Sequence, residues 1–169
     1  MAAALLPALV AAAVPGAGAQ RLPDPHRVTS QGPLDGLTFV GRFGPADGSD
    51  DRQDALHFRS GHFWSANCTP CGFRPSRYWV HRSTAGIHFR GRLRSAESGV
   101  FTFQGLVRDG RVEVSINWHK ERWYWTIDRD FRFVGVLRDP PDEVATLGEA
   151  RAAAESAARD GTGCDPRAS

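Results

Sequence analysis

Short runs with period-two alternation recur about every ten residues through the middle of the chain, and this spacing constrains the fold more than any motif does. The runs are 37–43, 54–59, 62–67, 77–82, 86–94, 99–108, 111–118 and 122–137, separated by Gly, Ser, Asp and Pro. In 86–94, Ile87, Phe89, Gly91 and Leu93 share one face, while His88, Arg90, Arg92 and Arg94 share the other. In 111–118, Val112, Val114, Ile116 and Trp118 alternate with Arg111, Glu113, Ser115 and Asn117. Such strands are buried on one side only. Asp109-Gly110 is the strongest hairpin signal. The pattern predicts an all-β fold: an antiparallel up-and-down meander of about eight strands, forming a small barrel or a sandwich, with a short C-terminal helix. Closure into a barrel would remove the edge strands. Gly91 and Gly105 fall on inward faces, where they relieve crowding or allow a bend.

The flanks read differently. Residues 1–19 are apolar, carry no charged side chain and end in Ala17-Gly18-Ala19, which predicts a signal peptide cleaved after Ala19. Residues 20–33 hold three prolines without apolar periodicity and are expected to form a disordered leader. The barrel domain is expected over 34–139, a helix over 140–160 and a disordered tail over 161–169. The helix's apolar side is mostly Ala, so its docking is expected to be weak. No later stretch is apolar enough to cross a membrane, which places the mature chain in the periplasm or the medium. Twenty of the 21 Lys and Arg residues are Arg, a bias that fits a GC-rich bacterial genome.

The last run is the most informative about function. Trp123, Trp125, Ile127, Phe131 and Phe133 share one parity, and so does Arg129. Either the chain turns at Asp128–Asp130, or Arg129 faces the interior. A buried guanidinium needs a partner, which would be a protein carboxylate or an anionic ligand. Arg129, Trp123, Trp125, Phe131, Phe133 and Trp118 are therefore the candidate ligand-binding residues.

With this pattern over residues 35–138, the chain resembles the calycin superfamily of lipocalins, fatty-acid-binding proteins and avidins. These are small up-and-down barrels with a ligand cavity. Lipocalins open with Gly-x-Trp; this chain has Gly36-x-x-Phe39 instead. Lipocalins also carry an arginine near the end of the last strand, to which Arg129 or Arg138 would correspond. Several fatty-acid-binding proteins hold a ligand carboxylate on interior arginines, and the resemblance implies that role for Arg129.

Cys68-Thr69-Pro70-Cys71 lacks the following helix of a dithiol redox centre. It also lacks the second ligand pair of a zinc site. In an exported chain a structural disulfide is expected, as Cys68–Cys71, Cys68–Cys164 or Cys71–Cys164. Between Asp54 and Glu97 there are seven arginines and four histidines but no acidic residue. Arg90, Arg92, Arg94 and His88 mark a basic face for an anionic partner, unless the acidic loop of Asp47, Asp50, Asp51 and Asp54 balances it. No catalytic set, cofactor motif or metal-ligand spacing is evident, and nucleic acid is not expected. The sequence thus predicts a non-enzymatic barrel that binds a small apolar or amphipathic ligand. The alternative is an interaction module whose basic face binds an envelope component or a protein.

Overall fold

The computed structural model describes residues 32–138 and 145–161. The expected signal peptide, most of the leader, the start of the expected helix at Pro140-Pro141 and the tail with Cys164 lie outside the described residues.

Eight strands follow one another: β1 (Thr38–Pro45), β2 (Arg52–Arg59), β3 (His62–Ser65), β4 (Ser76–Ser83), β5 (Gly86–Ser95), β6 (Gly99–Arg108), β7 (Arg111–Arg122) and β8 (Trp125–Leu137). Each pairs antiparallel with the next, and β8 returns to β1 from Phe39↔Leu137 to Pro45↔Phe131. This decides between sandwich and barrel: the sheet is closed and has no free edge. Ser60-Gly61 and Asp109-Gly110 turn the β2–β3 and β6–β7 hairpins with both residues at positive φ (50° and 72°, 51° and 71°). That left-handed pair matches the twist of the flanking strands. β3 stops at Ser65, short of the expected 67, because the buried Asp54 carboxylate draws in the next turn. Its Oδ2 accepts Ser65 Oγ (2.7 Å) and its Oδ1 accepts the Asn67 amide (3.0 Å). A short 3-10 turn, Thr69–Cys71, follows.

The inward faces form one aromatic core. Phe39, Phe58, Phe63, Phe89, Phe103 and Phe133 are fully or almost fully buried, with Tyr78 and Trp118 among them. Phe58 meets Phe39, Tyr78 and Phe89 edge-on at centroid distances of 6.1, 5.1 and 5.1 Å. One end of the barrel is plugged by the turn before β1. Leu34 is fully buried there, and Asp35 accepts the Gly61 amide and the Tyr78 hydroxyl (2.7 Å). Burial and the Asp35 carboxylate push the Tyr78 hydroxyl's pKa upward.

The helix α1 (Leu147–Arg159) begins later than expected because Thr146 caps it. Thr146 Oγ1 accepts the Glu149 amide and Glu149 Oε2 accepts the Thr146 amide (3.2 and 2.7 Å), a reciprocal cap that defines the first turn. Its alanine face is docked: Ala150 and Ala154 are buried. Arg151 reaches His62 Nε2 at 3.1 Å, and Ala158 lies against Gly72 beside the 3-10 turn.

Candidate functional site: the open mouth of the barrel

At the end opposite the Leu34 plug the barrel is open. The end of β1 brings Phe43, Gly44 and Pro45, the β1–β2 loop brings Asp47 and Asp50, and β8 brings Arg129, Asp130 and Phe131. Phe101 of β6, Phe73 of the loop after β3, Arg52 and Gln53 of β2 and the turn at Asn67–Cys71 add to the wall, and together they line a cavity of 980 Å³. Its apolar floor is a ring cluster. Phe43 stacks on Phe131 at 5.4 Å, Phe101 meets Phe43 edge-on at 6.1 Å, and Phe73 lies 4.9 Å from Phe101. Rings so arranged leave an open apolar concavity of the kind that takes small ligands.

Arg129 stands at the rim. β8 runs unbroken through Asp128–Asp130, with Trp118↔Arg129 and Ile116↔Phe131 in register, so the expected turn there does not form. Arg129 thus keeps the inward parity of Ile127 and Phe131. It is nevertheless exposed, because the β7–β8 hairpin rises past the barrel wall. Its guanidinium therefore needs no buried partner, and among the described residues it makes no hydrogen bond or ion pair. The neighbouring carboxylates are engaged elsewhere. Asp51 pairs with Arg132 at 2.7 Å, Asp50 with Arg52 at 3.1 Å, and Asp130 accepts Asn117 Nδ2 at 3.1 Å. The Ser49 amide on Asp47 holds that exposed carboxyl below its ordinary value.

Below the rim lies a buried polar network. Asp54 accepts Ser65 Oγ and the Ala55 and Asn67 amides, and Ser65 Oγ in turn accepts the Cys68 amide at 3.1 Å. Burial pushes the Asp54 carboxyl upward against these bonds. Burial, with the Asp54 charge behind it, also pushes the Cys68 thiol upward, which keeps it protonated and unreactive. Cys68 is a free thiol. That removes two of the three expected disulfides, Cys68–Cys71 and Cys68–Cys164: Cys68 is buried in the core cluster, while Cys71 is half-buried. The third involves Cys164, outside the described residues.

Of the six candidate ligand-binding residues, the structure brings Arg129 and Phe131 into the mouth. Trp118 is core, its Nε1 donating to Ser98 O at 2.7 Å, and Phe133 is fully buried in the packed half. Trp123 and Trp125 lie outside the cavity on the β7–β8 hairpin and are 94% and 40% exposed. Phe43, Phe73 and Phe101 were not singled out from sequence. Phe43 and Phe101 sit on inward faces like every other core ring, and Phe73 sits in a loop, so no pattern distinguishes them.

Arg90, Arg92 and Arg94 line the outer face of β5, with Arg77 and Arg82 exposed on β4 beside them. Arg90 lies 5.4 Å over the Trp79 ring and donates twice to Gln104 Oε1 (3.1 and 2.7 Å). His88 meets Ser83 Oγ at 3.0 Å. Among the described residues none of these arginines pairs with a carboxylate; the acidic loop is tied to Arg52 and Arg132 instead. Also among the described residues, no three of His, Cys, Asp and Glu are grouped so as to hold a metal ion. No protein-family model, curated protein or solved structure matches the chain. Fold and site together define a small closed antiparallel barrel with one plugged end and one open, aromatic mouth.

Proposed function

We propose that this is an exported, calycin-like binding protein that holds a small amphipathic anion in its open mouth and catalyses nothing. One observation carries the proposal: a ring-lined cavity of 980 Å³ meets a single rim arginine that has no partner among the described residues. An acyl chain or similar apolar body would lie on Phe43, Phe101 and Phe131, and its acidic head would take the Arg129 guanidinium in a forked hydrogen bond. The packed half of the barrel limits how deep such a ligand reaches. Export rests on the apolar, uncharged residues 1–19 with their Ala-x-Ala end.

The test is calorimetric titration of the mature protein with dodecanoate. Arg129→Met is expected to weaken binding by about 10- to 100-fold, the worth of a charge-assisted hydrogen bond. Its melting temperature should stay unchanged, because the side chain is exposed. Equal affinity in the two proteins, or no binding to either, would overturn the proposal.

The unpaired arginines of β4 and β5 favour a second function, capture of an anionic envelope polymer on the outer wall. Reversing Arg90, Arg92 and Arg94 to Glu should abolish salt-sensitive retention on a polyanionic column. Unchanged retention would contradict it.

A further inference from the structure

The turn between β7 and β8 is made of residues that do not suit it. Arg122 pairs with Trp125, which leaves Trp123 and Tyr124 as a two-residue loop. The β2–β3 and β6–β7 hairpins use Ser-Gly and Asp-Gly in left-handed backbone, as such loops favour. Trp123 and Tyr124 offer neither small size nor that backbone. Local chemistry that breaks the rule for its own element points to function.

Trp123, Tyr124 and Trp125 are 94%, 64% and 40% exposed, the only exposed aromatics among the described residues' large apolar side chains. They crown a hairpin that extends five residues past Trp118, roughly 15 Å at strand rise, on the same end as the cavity. The rings are not coplanar: Trp123 and Tyr124 meet at 77° and 4.7 Å, Tyr124 and Trp125 at 49° and 6.0 Å. They therefore form no flat platform for a sugar ring. Their exposed area is on the order of 400 Å², about half of the ~800 Å² that each partner gives to a standard protein interface. Two indoles and a phenol, each an apolar body with one polar group, match the headgroup layer of a bilayer. Along the hairpin Lys120, Arg122 and Arg129 are matched in number by Glu121, Asp128 and Asp130, so no net charge steers the tip.

We infer that the Trp123-Tyr124-Trp125 tip is a membrane-interface anchor, which seats the mouth of the barrel against a lipid surface. The partition is driven by the rings and does not depend on the cavity being a binding site.

The test is flotation of the mature full-length protein with phosphatidylcholine vesicles, with and without phosphatidylglycerol, at low and high salt. The wild type should float with both, insensitive to salt, with a blue shift in tryptophan emission. Replacing Trp123, Tyr124 and Trp125 together by Ser should cut partition by about tenfold or more while leaving the melting temperature unchanged. The variant with Arg90, Arg92 and Arg94 replaced by Gln should float like wild type. Three results would overturn the anchor. These are no flotation of the wild type on phosphatidylcholine, flotation lost through the β5 arginines and not through the tip, and a dimer that the tip variant dissolves. Arg129→Met should still float, so failure of the cavity proposal and failure of the anchor remain distinguishable.

Discussion

At Gly91 and Gly105 a methyl group has no room. A Cβ on Gly91 would stand 2.1 Å from Phe63 Cε1, and one on Gly105 would stand 2.1 Å from Phe89 Cε1. Each ring fills the space that a side chain on the glycine would take, which is how a narrow barrel holds so many aromatics. Gly105→Ala should therefore cost about 1–3 kcal/mol in denaturant unfolding, the usual penalty of overpacking, and unchanged stability would mean the ring has another place to go. His57 sets a pH dependence. It is buried on the outer face of β2, 5.3 Å from the Trp64 ring and 3.2 Å from Thr38 Oγ1. Burial, aided by Arg59, lowers its pKa from 6.5 to about 4. The unfolded chain then binds the extra proton, so this part of the stability is full above about pH 6.5 and is lost as pH falls towards 4. Melting temperatures of wild type and His57→Gln should converge across that window as the pH is lowered. A constant gap between them would contradict a buried neutral His57.

β8 shows how far the sequence could be read and where it stopped. Its parity put Arg129 with Ile127 and Phe131, and the register confirms that parity. Parity alone could not say that β7 and β8 outrun the barrel wall, so an inward arginine became a rim arginine without a desolvation penalty. The eight runs and their inward faces were legible because period two is a local property. Which inward rings border empty space was not legible, because Phe43 and Phe101 differ from Phe39 and Phe103 only in what lies across the barrel. The helix start was misplaced for a different reason: the Thr146–Glu149 cap fixes it inside a long Ala- and Glu-rich stretch. The 3-10 turn and α1 bear on the cysteines. α1 ends at Arg159 with Ala158 beside Gly72, and Cys164 follows five residues later in sequence. With Cys68 a free thiol, the expected disulfide is Cys71–Cys164. Alkylation of the unfolded, unreduced protein should add one adduct, on Cys68, whereas three adducts would exclude the bridge.

Among the described residues the barrel interior is apolar and aromatic, and Arg90, Arg92 and Arg94 stand on its outer wall. A transmembrane barrel instead carries a lipid-facing apolar band on its outer wall. Along the barrel axis the two ends differ as sharply: Leu34 and the Asp35–Tyr78 bond close one, while Phe43, Phe101, Phe131 and Arg129 open the other. Under the proposed function the small ligand sits at the open end of the barrel and not in its packed half. The most direct measurement is a backbone and side-chain NMR titration of the mature protein with dodecanoate. Shifts should concentrate on Phe43, Phe73, Phe101, Phe131 and the Arg129 guanidinium, and should leave Phe39, Phe103 and Phe133 unmoved. Perturbations centred on those three buried rings, or none anywhere at saturating ligand, would contradict it.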